Sequence, residues 1–258
     1  MGPSPARVLV TRPAGQEREL TALLQAAGYT VFHQPLLELE PLPRLTPEQR
    51  RRVSELDRYR HVIFVSGNAV RFGLARIADQ WPRLPAGITW YAVGETTARL
   101  LRESGLDAVA PAGEMSSEGL LAMPGLQDVS GQRVLIVKGE GGREALQAEL
   151  ARRGARVDTL ACYRRRCPLL PPGELARRLE RWAVEAVLIS SGEGLANLLT
   201  LLSEEETTKF RAMRLVVPSA RVENLARDAG FSRIATAPNA SDAAMAQALR
   251  EWIEGSGE

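Results

Sequence analysis

Short runs of aliphatic and β-branched residues recur along the chain, most of them apolar at every position rather than at alternate ones. They read VLVT at 8–11, TVFH at 30–33, VIFV at 62–65, TWYAV at 89–93 and VAP at 109–111. Further on come VLIV at 134–137, VDTLA at 157–161, AVLIS at 186–190, LVV at 215–217 and IATA at 234–237. Continuous runs of this length predict strands covered on both faces. Amphipathic stretches lie between most of them. Those at 15–27, 96–104, 143–153 and 219–229 each stop directly before a glycine (Gly28, Gly105, Gly154 and Gly230), the usual signal for a helix C-terminus. Strand and helix alternating at this spacing predict parallel sheets with helical crossovers, in flavodoxin-like or Rossmann-like layers.

The pattern occurs twice. RVLVTRPAGQERELTALLQAAGYTV at 7–31 returns as RVLIVKGEGGREALQAELARRGARV, with Arg7 and Arg133 126 positions apart. HVIFVSGNAVRFGL at 61–74 returns near 186–198, and aligning Ser66 with Ser190 gives a shift of 124. WYAVGETTARLLRESGL at 90–106 returns near 214–231, with Val93 on Val217, again 124. A period of half the chain predicts two similar halves rather than a solenoid, and ligands commonly bind between such halves. Two proline-flanked segments, QPLLELEPLP at 34–43 and ACYRRRCPLLPP at 161–172, hold equivalent places in the two copies. One division cuts the chain once near 125–131. The other has both segments cross side by side, with one domain inserted into the other, and the punctuation favours it.

Composition narrows the class. The chain has 258 residues, 45% apolar and 25% charged, enough for two domains with separate cores. Its 33 basic and 31 acidic side chains leave a net charge of +2, no excess that would suit nucleic acid. No apolar run approaches the roughly 18–20 residues of a membrane span, and the first residues lack a signal-peptide pattern. Cys162 and Cys167 are too few for a disulfide framework, so a cytoplasmic protein is expected. His33 and His61 are the only histidines, neither with a metal-ligand partner at useful spacing. No metal site, cofactor or histidine base is expected.

Candidate chemistry lies where strands meet helices, since ligands of parallel sheets bind at the carboxyl ends of the strands. Those turns contain Thr11 and Arg12; Ser66, Gly67 and Asn68; Gly94, Thr96 and Thr97; Lys138 and Gly139; Ser190 and Ser191; and Ser219. Small residues there free the first backbone N–H groups of each helix for an anion. Plain N-capping, contributing about 1 kcal/mol each, explains any single one. Six in two matched sets suit a ligand with several anionic groups. None is a nucleotide loop: 138–143 is glycine-rich but lacks the order GxxxxGK(S/T). Tyr163 follows the strand at 157–161 in a crossing segment, where its hydroxyl is free either to assist a leaving group or only to reach solvent beside a packed ring. Arg164, Arg165 and Arg166 beside it, and Glu204, Glu205 and Glu206, read as solvated charge runs.

Taken together these segments resemble the uroporphyrinogen-III synthase family over nearly the whole chain. VLVTRP at 8–13, PLLELEP at 35–41, VIFVSGNAV at 62–70 and YAVGETTARLL at 91–101 carry the likeness. So do SSEGLL at 116–121, KGEGGRE at 138–144, VDTLACYRR at 157–165 and VPSARVENLARDAGF at 217–231. The resemblance implies two α/β domains joined by a two-stranded linker, one of residues 1–35 with 167–258 and the other of 39–161, with 36–38 and 162–166 between. It implies cyclisation of hydroxymethylbilane to uroporphyrinogen III, with loss of water and inversion of the last pyrrole ring, by a monomer without cofactor, nucleic acid or membrane. A transient contact with the preceding pathway enzyme goes with that reading. Tyr163 matches the family's tyrosine, a proposed assistant to the departing hydroxyl. Thr11, Arg12, Ser66, Asn68, Thr96, Thr97, Ser116, Lys138, Gly139, Ser190, Ser191 and Ser219 would bind substrate. The sequence departs from the family pattern in Val65, often threonine, and Lys138, often arginine. A tetrapyrrole-binding module without chemistry and a sugar-nucleotide enzyme are the alternatives; the latter lacks its phosphate loop.

Overall fold

Two open sheets carry the structure, and their strands are the buried apolar runs of the sequence. The computed structural model describes residues 6–113, 116–142 and 144–255. The chain begins with β1 (Arg7–Val10), α1 (Arg18–Ala26), β2 (Thr30–His33) and β3 (Glu38–Pro41). Then follow α2 (Pro47–Ser54), β4 (His61–Phe64), α3 (Gly67–Ala78), β5 (Thr89–Ala92), α4 (Glu95–Glu103), β6 (Ala108–Val109) and α5 (Ser117–Leu121). β7 (Arg133–Gly139), α6 (Ala145–Arg152), β8 (Arg156–Arg166), α7 (Glu174–Arg181), β9 (Ala186–Leu188) and α8 (Gly192–Leu201) come next. α9 (Glu204–Phe210), β10 (Arg214–Val217), α10 (Ala220–Asp228), β11 (Ile234–Thr236) and α11 (Asp242–Glu254) complete it. Two compact units result, Met1–Glu38 with Arg166–Glu258, and Leu39–Arg165.

The first unit orders its strands β11-β10-β9-β1-β2, all parallel. Numbered within the unit, that is the 2-1-3-4-5 order of doubly wound sheets. The second unit reads β3-β8-β7-β4-β5-β6. Without β3 it is the same arrangement, with β7 and β8 in the places of β1 and β2, and β4 to β6 in those of β9 to β11. Each half of the chain thus gives two strands to one unit and three to the other.

The registers correct the repeat. Val8 pairs with Val31 and Val134 with Val157, a shift of 126 for both partners. His61 pairs with Thr89 and Ala186 with Arg214, a shift of 125 rather than 124. The caps agree, for Ser66 and Ser191 precede α3 and α8, and Gly94 and Ser219 precede α4 and α10. Ser66 therefore corresponds to Ser191. The one-residue slip has a physical cause. A strand buried on both faces has no polar side to fix its register in the sequence.

Both faces are indeed buried. In the first unit Leu9, Val187 and Leu215 pack on one side of the sheet, while Val8, Val10 and Leu188 pack on the other. In the second, Val62, Phe64 and Val137 oppose Ile63, Val134 and Ile136. One expectation fails at the edge of this sheet, and one strand is added. The segment 34–43 contains a strand, β3, and β8 does not stop at 161 but runs through the arginines. Glu38 accepts from Arg166 at 3.0 Å, Glu40 from Arg164 at 2.8 Å, and the Leu42 N–H bonds to the Cys162 carbonyl at 3.1 Å. One set of numbers rises as the other falls, so β3 is antiparallel to β8 and the sheet is mixed. Arg164 and Arg166 are rungs of a charged ladder and remain solvated, as expected. Such exposed pairs are worth at most about 1 kcal/mol and serve chiefly to set register. The α1 helix also starts later than expected, at Arg18, because Gly15 takes a left-handed conformation at φ +82° in the preceding turn.

The amino ends of the second unit's strands are closed by polar contacts. Arg133 donates to Glu55 at 2.9 Å and to Tyr59 Oη at 3.0 Å, and Tyr59 donates to Asp158 at 2.8 Å. His61 lies at the same end, 5% exposed, with Nε2 2.6 Å from Gln132 Oε1. Burial lowers its pKa below the ordinary 6.5. The unfolded chain then takes up a proton that the folded state resists, so stability falls as pH drops through about 6.5. Melting temperature should decline between pH 7.5 and 5.5, roughly, and more steeply in the native protein than in His61→Gln. Equal slopes in the two proteins would remove His61 from this role. Among the described residues no helix is long and apolar enough to cross a membrane.

Candidate active site

At the opposite, carboxyl ends of the same strands, β4, β7 and β8 converge on one hollow. β4 and β7 are neighbours at the point where strand order reverses, the place where doubly wound sheets bind ligands. Ser66 leaves β4 extended (φ −167°) and caps α3, its Oγ accepting the Ala69 N–H at 3.1 Å. On β7 and β8 the register runs Lys138 to Ala161 and then Gly139 to Tyr163, with an irregularity between Lys138 and Gly139. The extra residue of such a bulge re-aims the side chains beside it. Cys162 turns into the core, fully buried, its Sγ 3.2 Å from the Lys138 carbonyl. Burial pushes its thiol up to about 12, so it is inert.

Tyr163 lies on the other side. It is 3% exposed, inside β8 rather than in a free crossing segment, and its hydroxyl meets Ser66 Oγ at 3.2 Å. Its ring stacks on Phe72 with centroids 5.3 Å apart and planes 28° from parallel. Gly139 lies against the same ring, with no room for a Cβ between them. The phenol borders a cavity of about 190 Å³ whose polar lining includes Lys138, Ser117, Gln147, Thr159 and Arg165. Among the described residues, two cations and no acid face this space. Lys138 is half-buried, and its ammonium has no hydrogen-bond or ion-pair partner among the described residues. A cation so placed favours an anionic guest.

Of the residues expected to bind substrate, Ser66, Lys138 and Gly139 gather with Tyr163. Asn68 sits in the first turn of α3. Thr96 and Thr97 lie in the first turn of α4, Thr97 buried and Thr96 exposed. Ser116 caps α5 by accepting the Gly119 N–H at 3.1 Å, and it is Ser117 that lines the cavity. Within the first unit, Thr11 is buried and donates to the Leu188 carbonyl at 2.6 Å. Arg12 pairs with Asp242 at 2.6 Å and donates to the Ala240 carbonyl. Ser191 caps α8 through the Gly194 N–H, and Ser219 precedes α10 without a side-chain cap bond. Ser190 Oγ is buried with no hydrogen-bond partner among the described residues. Arg143, another candidate cation, lies outside the described residues.

Phe72, Gln147, Thr159 and Arg165 were not singled out as site residues from the sequence. Arg165 alone was traceable, because two residues beyond Tyr163 on a strand is the same face. The other three are ordinary helix or strand positions until the sheet order is known.

These features define an α/β protein of parallel and mixed open sheets, with its chemistry at the strands' carboxyl ends. Residues 18–247 match the family model described as uroporphyrinogen-III synthase HemD. The uroporphyrinogen-III synthase of Escherichia coli (strain K12) is 35% identical over 94% of this chain and 99% of its own. That of Synechococcus elongatus is 32% identical over 76% of this chain and 74% of its own. The chain belongs to the uroporphyrinogen-III synthase family. In fold it is similar to a mutant uroporphyrinogen III synthase from Thermus thermophilus, with a TM-score of 0.59 at 22% identity over 97% of this chain and 99% of that one. Uroporphyrinogen-III synthetase from Helicobacter pylori 26695 gives 0.59 at 15% identity, over 95% and 99%.

Proposed function

We propose that the chain converts hydroxymethylbilane to uroporphyrinogen III, with Tyr163 as the acid that assists the departing hydroxyl. The observation that carries the site assignment is the Tyr163–Ser66 contact at the wall of a cation-lined cavity. Ser66 Oγ already accepts the Ala69 N–H, and its own proton is free to go to the Tyr163 oxygen. The phenol proton then points away from Ser66, towards the cavity. The developing phenolate keeps the Ser66 hydrogen bond and the positive end of α3.

The proton passes from Tyr163 to the leaving hydroxyl as the carbon–oxygen bond breaks, and water departs. The pyrrole nitrogen supplies the electron pair and keeps its N–H, leaving a protonated azafulvene. The substituted carbon of the last ring attacks it, giving a spiro intermediate whose rearrangement inverts that ring. Rearomatisation releases one proton, which restores the phenol. The sum is redox-neutral, which accords with a reaction without cofactor.

A cavity of about 190 Å³ is smaller than the roughly 300–1,000 Å³ that holds a drug-sized ligand, so it takes one substituted pyrrole rather than the whole chain. Lys138 is the carboxylate partner there. The remaining carboxylates go to backbone N–H groups at helix starts, those after Ser66 with Asn68, Gly94 with Thr96 and Thr97, Ser116, Ser190 with Ser191, and Ser219. Thr11 and Arg12 spend their polar groups on Leu188, Ala240 and Asp242 and act by holding their turn. Residues 1–35 with 167–258 and 39–161 form the two domains of this reading, flavodoxin-like in strand order and joined through 36–38 and 162–166. Fresh hydroxymethylbilane given to the purified protein should disappear faster than in buffer and yield uroporphyrinogen III on chromatography. Isomer I alone, at the spontaneous rate, would end the proposal.

A further inference from the structure

We infer that Gly139 is a positioning residue, kept free of a side chain so that the Tyr163 phenol can sit at the cavity wall; this rests on the acid role of Tyr163 above. A Cβ at Gly139 would lie 2.8 Å from Tyr163 Cζ, 2.9 Å from Cε2 and 3.2 Å from Oη. Contacts below 3 Å force one partner to move. The ring is not free to move at will, since Phe72 stacks on it. Nor can its backbone drift, since the Tyr163 carbonyl accepts the Glu140 N–H at 2.8 Å. A methyl at 139 therefore displaces the ring, and with it the hydroxyl that meets Ser66.

Nothing else at this position requires glycine. Gly141 and Gly142 adopt φ of +67° and +87°, which L side chains rarely take, but Gly139 is absent from the positive-φ glycines. Its conformation is ordinary strand. Only the space is special, and the occupant of that space is a phenol.

The twin unit supports this reading. The positions 126 residues earlier are Pro13 for Gly139 and Leu37 for Tyr163. Where the tyrosine is missing, so is the glycine. The serine cap common to both copies, Ser66 and Ser191, is present in both. The glycine goes with the phenol rather than with the fold.

The test is a double-mutant comparison on the full chain, assayed with fresh hydroxymethylbilane well below each protein's melting temperature. Gly139→Ala should lower kcat by roughly ten-fold, since small misplacements of a reacting group have effects of that size or more, and leave KM unchanged. In the Tyr163→Phe background the ring is still displaced, but no hydroxyl remains to be misplaced, so Gly139→Ala should cause no further loss. A merely structural glycine would cost the same factor in both backgrounds, and that result overturns the inference while leaving the synthase reading intact. A raised KM with unchanged kcat would also overturn it. If Tyr163→Phe is as active as the native protein, the acid role fails and this inference fails with it. If the native protein forms no isomer III, the proposed function itself fails. Should Gly139→Ala not fold, folding should return when Tyr163→Leu frees the space its Cβ would occupy, and a double variant that still does not fold would overturn the inference.

Discussion

Replacing Tyr163 by phenylalanine is expected to cut kcat roughly ten-fold or more while changing KM little. The substitution removes one oxygen and keeps the ring, so the stack on Phe72 and the seat on Gly139 survive. What disappears is the proton donor and its hydrogen bond to Ser66 at 3.2 Å. On the proposed reading substrate is held by other groups, Lys138 and the helix-start amides, which explains the separation of kcat from KM. The remaining rate reflects the pyrrole nitrogen's own push on the leaving hydroxyl. Steady-state kinetics of the two proteins measure this directly. An unchanged kcat would make Tyr163 a packing residue, which its low exposure alone would suit.

The second large effect concerns the support beneath the site. Gly73→Ala should destabilise the protein by about 1–3 kcal/mol, the usual cost of overpacking a filled core. A Cβ there would stand 2.4 Å from Val137 Cγ1 and 3.3 Å from Phe64 Cε1. Gly73 lies in α3, the helix that presents Ser66, and Val137 lies in β7, the strand that ends in Lys138 and Gly139. The close approach of helix to sheet fixes the height of Ser66 over the phenol. In isolation glycine weakens a helix and alanine strengthens it by up to about 1 kcal/mol, so helix propensity predicts the opposite sign. Chemical denaturation distinguishes them. A more stable Gly73→Ala variant would mean that α3 has room to move off the sheet.

The contrast between Gly73 and the strands shows which information the sequence carries. Strand positions were legible because buried β-branched runs such as VLIV and AVLI are chemically distinctive, and helix ends were legible from single glycines. The partition of the copies was visible in the repeat, but its shift was one residue short beyond His61, since doubly buried strands tolerate sliding. β3 was hidden because ELEP looks like a loop until Arg164 and Arg166 stand opposite Glu40 and Glu38. In the site, Tyr163 and Ser66 were each visible as residue types. Their 3.2 Å contact was not, as it depends on a bulge between Lys138 and Gly139 that shifts the register of β8. The start of α4 differs by one residue from the expected 96, because a helix can begin one residue earlier, at Glu95, without any change in its apolar face.

Orientation and proton donation are separable, and one single-turnover measurement separates them. With Tyr163→Phe in excess over fresh hydroxymethylbilane, so that little substrate is left to close in solution, the product should still be uroporphyrinogen III, formed slowly. The choice of the attacking carbon belongs to the binding surface and survives loss of the phenol. Isomer I from the enzyme-bound substrate would contradict this, by showing that the held chain does not determine which carbon closes the ring.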